Sequence, residues 1–519
     1  MNNEQVDLVL NTLEDLKEFE LVDSQDLTQD SHYNKYLNKA YKHYKELYLN
    51  EDIQWRPYQP EYAALYATRR KNICALTMGL GKTTIAGLML CCLYEDNIKL
   101  MRPGAIQIIA PSELSIKTRW LEDLEKLKVI QGNISFLKKK EDVFKADKPI
   151  WIYNQDFPKR ELSDRKGNNK FLSKSLNKAN VLIIDEAHHL KPKTQRSRHI
   201  NYLARRSKRV FLMSGTISDG RLDLINFLNE LTYGRLWPYN EKDFKRDFTA
   251  KRKIKSSYLY GMNTNDSKKS IHQLSPDMIS KYSKLIQRYV HRASYSDSNI
   301  YPYVHIPKRE TVVDIVTPSK EHQEHYEETL KDKQADLEQA KLYDSNKMKA
   351  KALQLLHPVL LASNCPPVHI ENHKIKKLKE YVEEYQKLGK KTAVFCDGVE
   401  SARVVTLSLL EQFKTERLYA HDPNYEPTSQ TQAMRSKVVN KFLFTDEVEV
   451  GVFSINLASE SIDLTTADQV IFYDYPWASL KLQQALFRVL RPGNKSSKVR
   501  AVYLGNKGFI DEHQQTLLA

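Results

Sequence analysis

The chain has 519 residues, of which 41% are hydrophobic and 10% aromatic, too many for one compact core and enough for two to four domains. Its longest apolar run, residues 86–94, falls well short of the roughly 20 that cross a bilayer, so no membrane span is expected. The net charge of +15 at pH 7 favours a polyanionic partner.

That charge is uneven. Residues 1–30 hold nine acidic side chains against the single Lys17, which leaves about +23 on the remainder. The first 20 residues have no basic segment followed by an apolar stretch, so a secretory signal is not expected and a cytoplasmic location is, with a nuclear one still open. The acidic segment reads as a solvating tail, as a mimic of nucleic acid folded on a basic surface, or as a recruiting site for a protein partner. Cys74, Cys91, Cys92, Cys365 and Cys396 form no CxxC pair and are odd in number, which argues for buried thiols rather than a zinc ribbon or disulfides.

Next, "HYNKYLNKAYKHYKELYL" spaces Tyr33, Tyr36, Leu37, Ala40, Tyr41, Tyr44 and Tyr48 by threes and fours, an amphipathic helix. From Trp55 to Leu236 short apolar runs ("AIQIIA", "PIWIYN", "VLIIDEA", "RVFLMSG") alternate with helical text such as "IKTRWLEDLEKL", and the rhythm returns from Thr392 with "TAVFCD", "VEVGVFS", "DQVIFYDY" and "VRAVYLG". Such alternation predicts parallel sheets flanked by helices, hence an α/β protein of two lobes. We divide the chain into an acidic segment and helix (1–50), a first lobe (51–300) with a basic helical insertion at 241–300, and a second lobe (301–519) with a helical insertion at 321–357. No internal repeat is apparent.

Within "ALTMGLGKTTIAGLML", Gly79, Gly81, Lys82, Thr83 and Thr84 have what phosphate binding needs. Glycines let backbone N–H groups turn inward, a lysine reaches terminal phosphates, and a threonine hydroxyl can ligate Mg²⁺ at a helix N-terminus. The usual eight-residue pattern wants a glycine where Leu76 stands. About a hundred residues on, "VLIIDEAHH" places Asp185 and Glu186 after an apolar strand, where one carboxylate can hold Mg²⁺ and its neighbour can activate water. His188 and His189 lack the companions of a zinc site. In "QQALFRVLRPGN", the four- and three-residue steps between Gln484, Arg488 and Arg491 fit one helical face, and arginines there can neutralise charge on a γ-phosphate. A solvent-facing salt-bridge helix is the alternative.

In this order the motifs resemble superfamily 2 helicases, and most nearly the Snf2-like branch. "RPYQ" (Arg56, Pro57, Tyr58, Gln59) matches the segment that precedes the loop in that family, with Gln59 implied to read adenine; the family's "DEMGLGKT" loop lacks the first glycine as well, though Leu76 and Thr77 depart from its acids. The resemblance runs on through "IIAPSELSIKTRW" with Trp120, "DEAHHLK", "LMSGTIS", the interlobe signature with His291 for an arginine and Arg292, Pro307, Lys308 and Glu310 kept, "LQLLHPVLLA", "TAVFCD", and "FSINLASESIDLTTADQVIFYDYPW" with Ser461 for a glycine and Asp463 for an asparagine.

The resemblance implies two RecA-like lobes, ATP and Mg²⁺ as cofactors, and a motor that moves on double-stranded or branched DNA as a monomer. Lys82, Asp185, Glu186, Gln484, Arg488 and Arg491 would be catalytic. Arg56, Gln59, Gly79, Gly81, Lys82, Thr83, Thr84 and Asp463 would hold the nucleotide, and Thr83 and Asp185 the metal. Pro111, Ser112, Ser214, Thr216, Ser454 and Trp477 would face nucleic acid, to which we add Lys251, Arg252, Lys253 and Lys255 from the basic insertion. A strand-separating or branch-migrating helicase and an ATP-gated DNA clamp remain open, and the compactness fits a minimal motor of bacterial, phage or viral type.

Overall fold

The computed structural model describes residues 31–50, 54–95, 97–163, 169–190, 194–215, 249–254, 269–274, 290–340, 345–418, 432–455, 462–477 and 479–518. The chain divides into two compact units, residues 1–303 and 304–519. Each is built on a parallel sheet and is described by itself.

The first unit opens with α1 (Ser31–Asn50) and α2 (Tyr58–Thr68). The tyrosine stripe of α1 turns inward as its spacing predicts, although unevenly: Ala40, Tyr44 and Leu47 are buried while Tyr48 is exposed. Tyr44 packs at a tilt against Trp55, with centroids 4.9 Å apart, and its hydroxyl accepts from the Arg56 backbone N–H at 2.8 Å. Thus the helix fixes the segment that leads to the phosphate loop.

The strands are β1 (Lys71–Leu76), β2 (Ile106–Ala110), β3 (Ile134–Phe136), β4 (Ile150–Asn154), β5 (Glu161–Ser163), β6 (Asn169–Phe171), β7 (Val181–Ile184), β8 (Arg209–Met213), β9 (Thr249–Ile254), β10 (Lys269–Leu274) and β11 (Val290–Ala293). Seven of them form the main sheet in the order β11-β1-β8-β7-β2-β4-β3, every pair parallel. Their nearly continuous burial is what a sheet covered on both faces requires. Helix α3 (Lys82–Tyr94) follows β1 and is buried from Ile85 to Tyr94.

The insertion expected to be helical over 241–300 is otherwise in its described part. There β9 and β10 pair antiparallel, with Lys253 opposite Ser270 and Lys251 opposite His272, and β11 joins the main sheet. "TAKRKI" and "KSIHQL" carry apolar and β-branched residues without a 3.6-residue stripe, so nothing in them gives a helix a face to bury.

The second unit contains β12 (Lys308–Val316), β13 (Lys391–Cys396), β14 (Thr415–Leu418), β15 (Val450–Ser454), β16 (Ala467–Phe472) and β17 (Lys498–Asn506), ordered β12-β17-β16-β13-β15-β14 and all parallel. Helices α4 (Lys320–Ala340) and α5 (Ser345–Asn364) cover the 321–357 region, and Tyr326 stacks on Phe509 at 3.9 Å beside Val359 and Ala362. The two units are RecA-like lobes. Among the described residues no helix is long and apolar enough to cross a membrane. Cys74, Cys91, Cys92 and Cys396 are buried thiols and Cys365 is half-buried.

Candidate active site

Leu76, which stands where the usual pattern wants a glycine, is the last residue of β1; its side chain is fully buried and it pairs with Ala293 of β11. The turn therefore begins one residue later. The Thr77 backbone N–H and hydroxyl both donate to the Ala293 carbonyl, at 3.0 and 3.3 Å. Gly79 and Gly81 have φ of 82° and 81°, left-handed values that glycine adopts at little cost. At Gly81 a Cβ would also collide with the Gln59 side-chain amide.

The residues from "RPYQ" brace this turn. Arg56 Nη1 donates to the Gly79 carbonyl at 3.1 Å, and Gln59 Nε2 and Tyr58 Oη donate to that of Leu80 at 3.2 and 3.3 Å. Tyr295 donates to the Met78 carbonyl. Because Gly81 has no side chain to cap α3, the first-turn amides, which include those of Thr83 and Thr84, are left for an anion. Lys82 Nζ donates to the carbonyls of Leu76 and Thr77 at 3.0 and 3.4 Å. Burial lowers its pKa, against the pull of Glu186, Cys74 and Asp185. It therefore sits within electrostatic reach of both carboxylates.

Asp185 and Glu186 leave the C-terminal end of β7. Asp185 is buried, with Oδ2 accepting from Trp120 Nε1 at 3.0 Å and Oδ1 from the Glu186 backbone N–H at 2.9 Å. Burial and the neighbouring Glu186 raise its pKa, a charge arrangement that a divalent cation would relieve. Among the described residues Glu186 is the one non-glycine with positive φ, 44°. Such a conformation costs about 1–3 kcal/mol and must be held by its surroundings. Gln155 supplies part of that hold, its Nε2 donating to the carbonyls of Asp185 and Glu186 at 2.8 and 3.3 Å.

Two of these partners have roles that the sequence alone does not reveal. Gln155 has no motif signal at all. Trp120 lies in a π-helical turn, Ile116–Leu121, which widens the helix and re-aims its indole. His188 Nδ1 lies 2.9 Å from Ser214 Oγ and 3.2 Å from Glu186 Oε2, and a Cβ on Gly215 would stand 3.4 Å from Lys82 Nζ. "DEAHH", "LMSG" and the loop thus meet at one edge of the sheet.

Gly79, Gly81, Lys82, Thr83, Asp185 and Glu186 could hold a magnesium nucleotide. The bare turn admits phosphate, and the Thr83 hydroxyl and Asp185 carboxylate could be metal ligands. No group of three or more His, Cys, Asp or Glu gathers among the described residues, and Mg²⁺ bound through one carboxylate, phosphates and water needs none.

Residues expected to touch nucleic acid are dispersed. Ser112 caps a short helix by accepting from the Ser115 N–H at 3.2 Å, with Pro111 half-buried before it. Ser214 is buried against His188, so its hydroxyl links two motifs rather than facing outward. Lys251, Arg252 and Lys253 lie on β9. Lys255 and Thr216 lie outside the described residues.

In the second unit, Ser454 is buried at the end of β15 and Trp477 is 47% exposed. Gln484 lies on α9, which we assign after α6 (His373–Gln386), α7 (Val399–Leu410) and α8 (Gln432–Phe444) to Ser479–Leu486. The helix ends before Arg488 and Arg491, so the three do not share one continuous helical face. Tight turns continue instead, with Arg488 N–H donating to Ala485 at 3.1 Å and Arg491 N–H to Val489 at 3.0 Å. Their physical cause is the run toward Pro492 and Gly493, where φ reaches 104°. All three side chains are buried, and Arg491 Nη1 is 3.5 Å from Asp463 Oδ2. Asp463, expected to hold the nucleotide, is here an arginine partner.

A parallel sheet that offers a glycine turn, a lysine and paired carboxylates at its C-terminal edge, followed by a second sheet carrying buried arginines, defines the RecA-like class of nucleoside-triphosphate-binding proteins. Residues 58–365, more than half of the chain, match the SNF2-related domain, and residues 373–493 match the helicase conserved C-terminal domain. The chain belongs to the SNF2-related family.

It is 25% identical over 496 residues to the CHD3-type chromatin-remodeling factor PICKLE of Arabidopsis thaliana, covering 86% of this chain and 32% of that protein. With the chromatin-remodeling ATPase INO80 of Candida glabrata it shares 28% identity over 145 residues, 28% of this chain and 9% of that one. The chain thus spans a third or less of the length of these relatives. Among solved structures, the Pyrococcus furiosus Hef helicase domain matches with a TM-score of 0.51 at 16% identity, over 89% of this chain and 98% of that one. The Sulfolobus solfataricus SWI2/SNF2 ATPase core in complex with dsDNA covers 90% of this chain and 91% of its own, at 19% identity and a TM-score of 0.39.

Proposed function

We propose that the protein is an ATP-dependent motor that hydrolyses ATP to translocate on double-stranded DNA, remodelling forks or protein–DNA contacts. The observation that carries this reading is the meeting of the Gly79–Gly81 turn, Lys82 and the Asp185–Glu186 pair at one sheet edge in a chain of the SNF2-related family. The names of the relatives support the same class of work, and the +23 outside residues 1–30 suits a phosphate backbone.

Magnesium-bound ATP would supply the phosphoryl bond whose cleavage drives movement. Lys82 and the first-turn amides of α3 bind and orient the phosphates, and Thr83 and Asp185 would hold the ion. Glu186 accepts a proton from the attacking water, its strained backbone aiming the carboxylate. Arg488 and Arg491, with Gln484, would be the groups that neutralise charge developing on the terminal phosphate. The metal ligands, the arginine roles and the division into residues 51–300 and 301–519 are part of this proposal.

Hydrolysis measured with no nucleic acid, single-stranded DNA, duplex DNA and RNA, with Glu186→Gln as the blank, tests it. Stimulation by duplex that vanishes in the variant is expected. Stimulation by single strands or RNA alone would replace it with a strand-separating or RNA-directed motor, and tight ATP binding without hydrolysis would leave a clamp.

A further inference from the structure

The nucleotide turn occupies the edge of the first sheet where the strands end. At the opposite edge, where they begin, lies a cavity of about 180 Å³ lined by Lys35 of α1, Lys99, Lys208, Arg209, Asn97 and Asn180. Among the described residues that line it none is acidic.

The cavity is built rather than incidental. Arg209 Nη1 donates to the carbonyls of Ala67 and Arg69 at 2.7 and 2.9 Å, which fixes its guanidinium. Asn180 Nδ2 donates to the Lys99 carbonyl at 3.0 Å, and Asn97 Oδ1 accepts from the Lys99 N–H at 3.2 Å, so the turn carrying Lys99 is held from both sides. Lys99 and Lys208 are exposed at the mouth.

Size and surroundings say what could enter. The volume is below the roughly 300–1,000 Å³ of pockets that enclose whole small molecules, which suits a phosphate group better than a nucleoside. The positive charge does not stop at the rim: exposed Arg70 precedes β1 and exposed Lys178 precedes β7, strands that flank β8 in the sheet. Neighbouring strands stand about 4.8 Å apart, so the cations form a row rather than a single nest. A row of cations matches a chain of phosphates.

We propose that this edge is a second nucleic-acid contact, in which the Lys35, Lys99, Lys208 and Arg209 cavity takes a backbone phosphate of a duplex and the row of cations beside it takes its neighbours. The contact is sequence-independent and separate from the nucleotide turn. It lets the first unit hold nucleic acid whether or not ATP is bound.

The test is duplex binding by the full chain without ATP, followed by fluorescence anisotropy across a salt series, for wild type and for Lys99→Glu/Lys208→Glu. Circular dichroism reports whether the variant is folded, and Lys99→Gln/Lys208→Gln serves if the charge reversal is not. Because the binding assay needs no ATP, it answers even if the chain proves not to be an ATPase. We expect the slope of log K against log salt to flatten by about 2, one for each phosphate no longer neutralised, and affinity at moderate salt to fall about tenfold. A parallel titration with tripolyphosphate, made in a Lys82→Ala background so that the nucleotide turn contributes little, separates the sources of the anion. Loss of tripolyphosphate binding with duplex affinity and slope unchanged would make this a small-polyphosphate site and overturn the nucleic-acid contact. No change in either ligand would overturn the proposal altogether.

Discussion

The two units share a parallel-sheet plan yet use their buried polar groups for opposite ends. In the first, they converge on the C-terminal edge of the sheet around Asp185 and Glu186, leaving a left-handed glutamate and a carboxyl whose pKa burial has raised. In the second, a fully buried ion pair lies among structural elements rather than at a proposed reaction site. Lys374 and Asp511, both fully buried, meet at 2.7 Å. Lys374 Nζ also donates to Asn364 Oδ1 at 2.8 Å, and Asp511 accepts from Ser363 Oγ at 2.9 Å and the Asn506 N–H at 2.8 Å. That network joins the end of α5, the start of α6, the end of β17 and the helix Ile510–Leu518. One fold therefore holds strain where chemistry is proposed in the first unit and a buried ionic network in the second.

Substitutions at equivalent depth should then separate activity from stability. Glu186→Gln removes the proposed proton acceptor and should lower hydrolysis by about 10²–10⁴-fold while leaving the melting midpoint unchanged or slightly raised. Lys374→Met should do the reverse: leaving the buried Asp511 charge without its cation costs about 3–5 kcal/mol, read as a lower denaturant midpoint, with residual hydrolysis near wild type in the protein that remains folded. If Glu186→Gln destabilised the chain as much as Lys374→Met, the contrast between the units would not stand.

A third substitution sharpens the contrast through pH. Asp474 is buried and accepts from the backbone N–H groups of Asp397 and Gly398 at 2.5 and 3.2 Å, yet burial pushes its pKa up to about 6. An acid raised on folding contributes stability below its unfolded pKa near 4, and that contribution disappears as pH rises through 6. The difference of about 2 units corresponds to about 3 kcal/mol. Unfolding of Asp474→Asn followed from pH 4 to 7 should lack this decline. A decline as steep as in wild type would assign it to another group. His291 works in the other sense: burial lowers its pKa to about 3, so its contribution is complete above 6.5 and is lost as pH falls toward 3.

Much of this was legible from sequence because the relevant patterns are local. The alternation of apolar runs with helical text pointed to two parallel sheets, and "GLGKTT" and "VLIIDEA" marked the loop and carboxylates because glycine, lysine and acid each have a backbone or charge reason to stand there. What was not legible depends on tertiary contact. Leu76 is explained only by β11 pairing beside it. Arg488 and Arg491 leave the helix because Pro492 and Gly493 follow, and that pair overrides the three-and-four spacing. "TAKRKI" lacks a helical stripe, but its partner strand begins fifteen residues on, so the hairpin itself is a tertiary feature that the segment does not announce. Gln155 clamps two carbonyls through a contact 30 residues away in sequence.

Trp120 offers the smallest effect and the finest test of the first unit. Its indole is fully buried and donates one hydrogen bond, to Asp185. Trp120→Phe keeps most of the packing and removes only that donor, leaving a buried carboxylate oxygen short of a partner. A hydrogen bond to a charged group contributes about 1.5–3 kcal/mol, and partners one step behind a metal ligand typically change metal affinity by about 10–100-fold. We therefore expect the Mg²⁺ concentration for half-maximal hydrolysis to rise about tenfold or more, while the rate at saturating Mg²⁺ changes little. A fall in rate with no shift in Mg²⁺ dependence would mean that Trp120 supports the position of Glu186 rather than a metal-binding Asp185, because the Glu186 backbone N–H donates to the other oxygen of the same carboxylate.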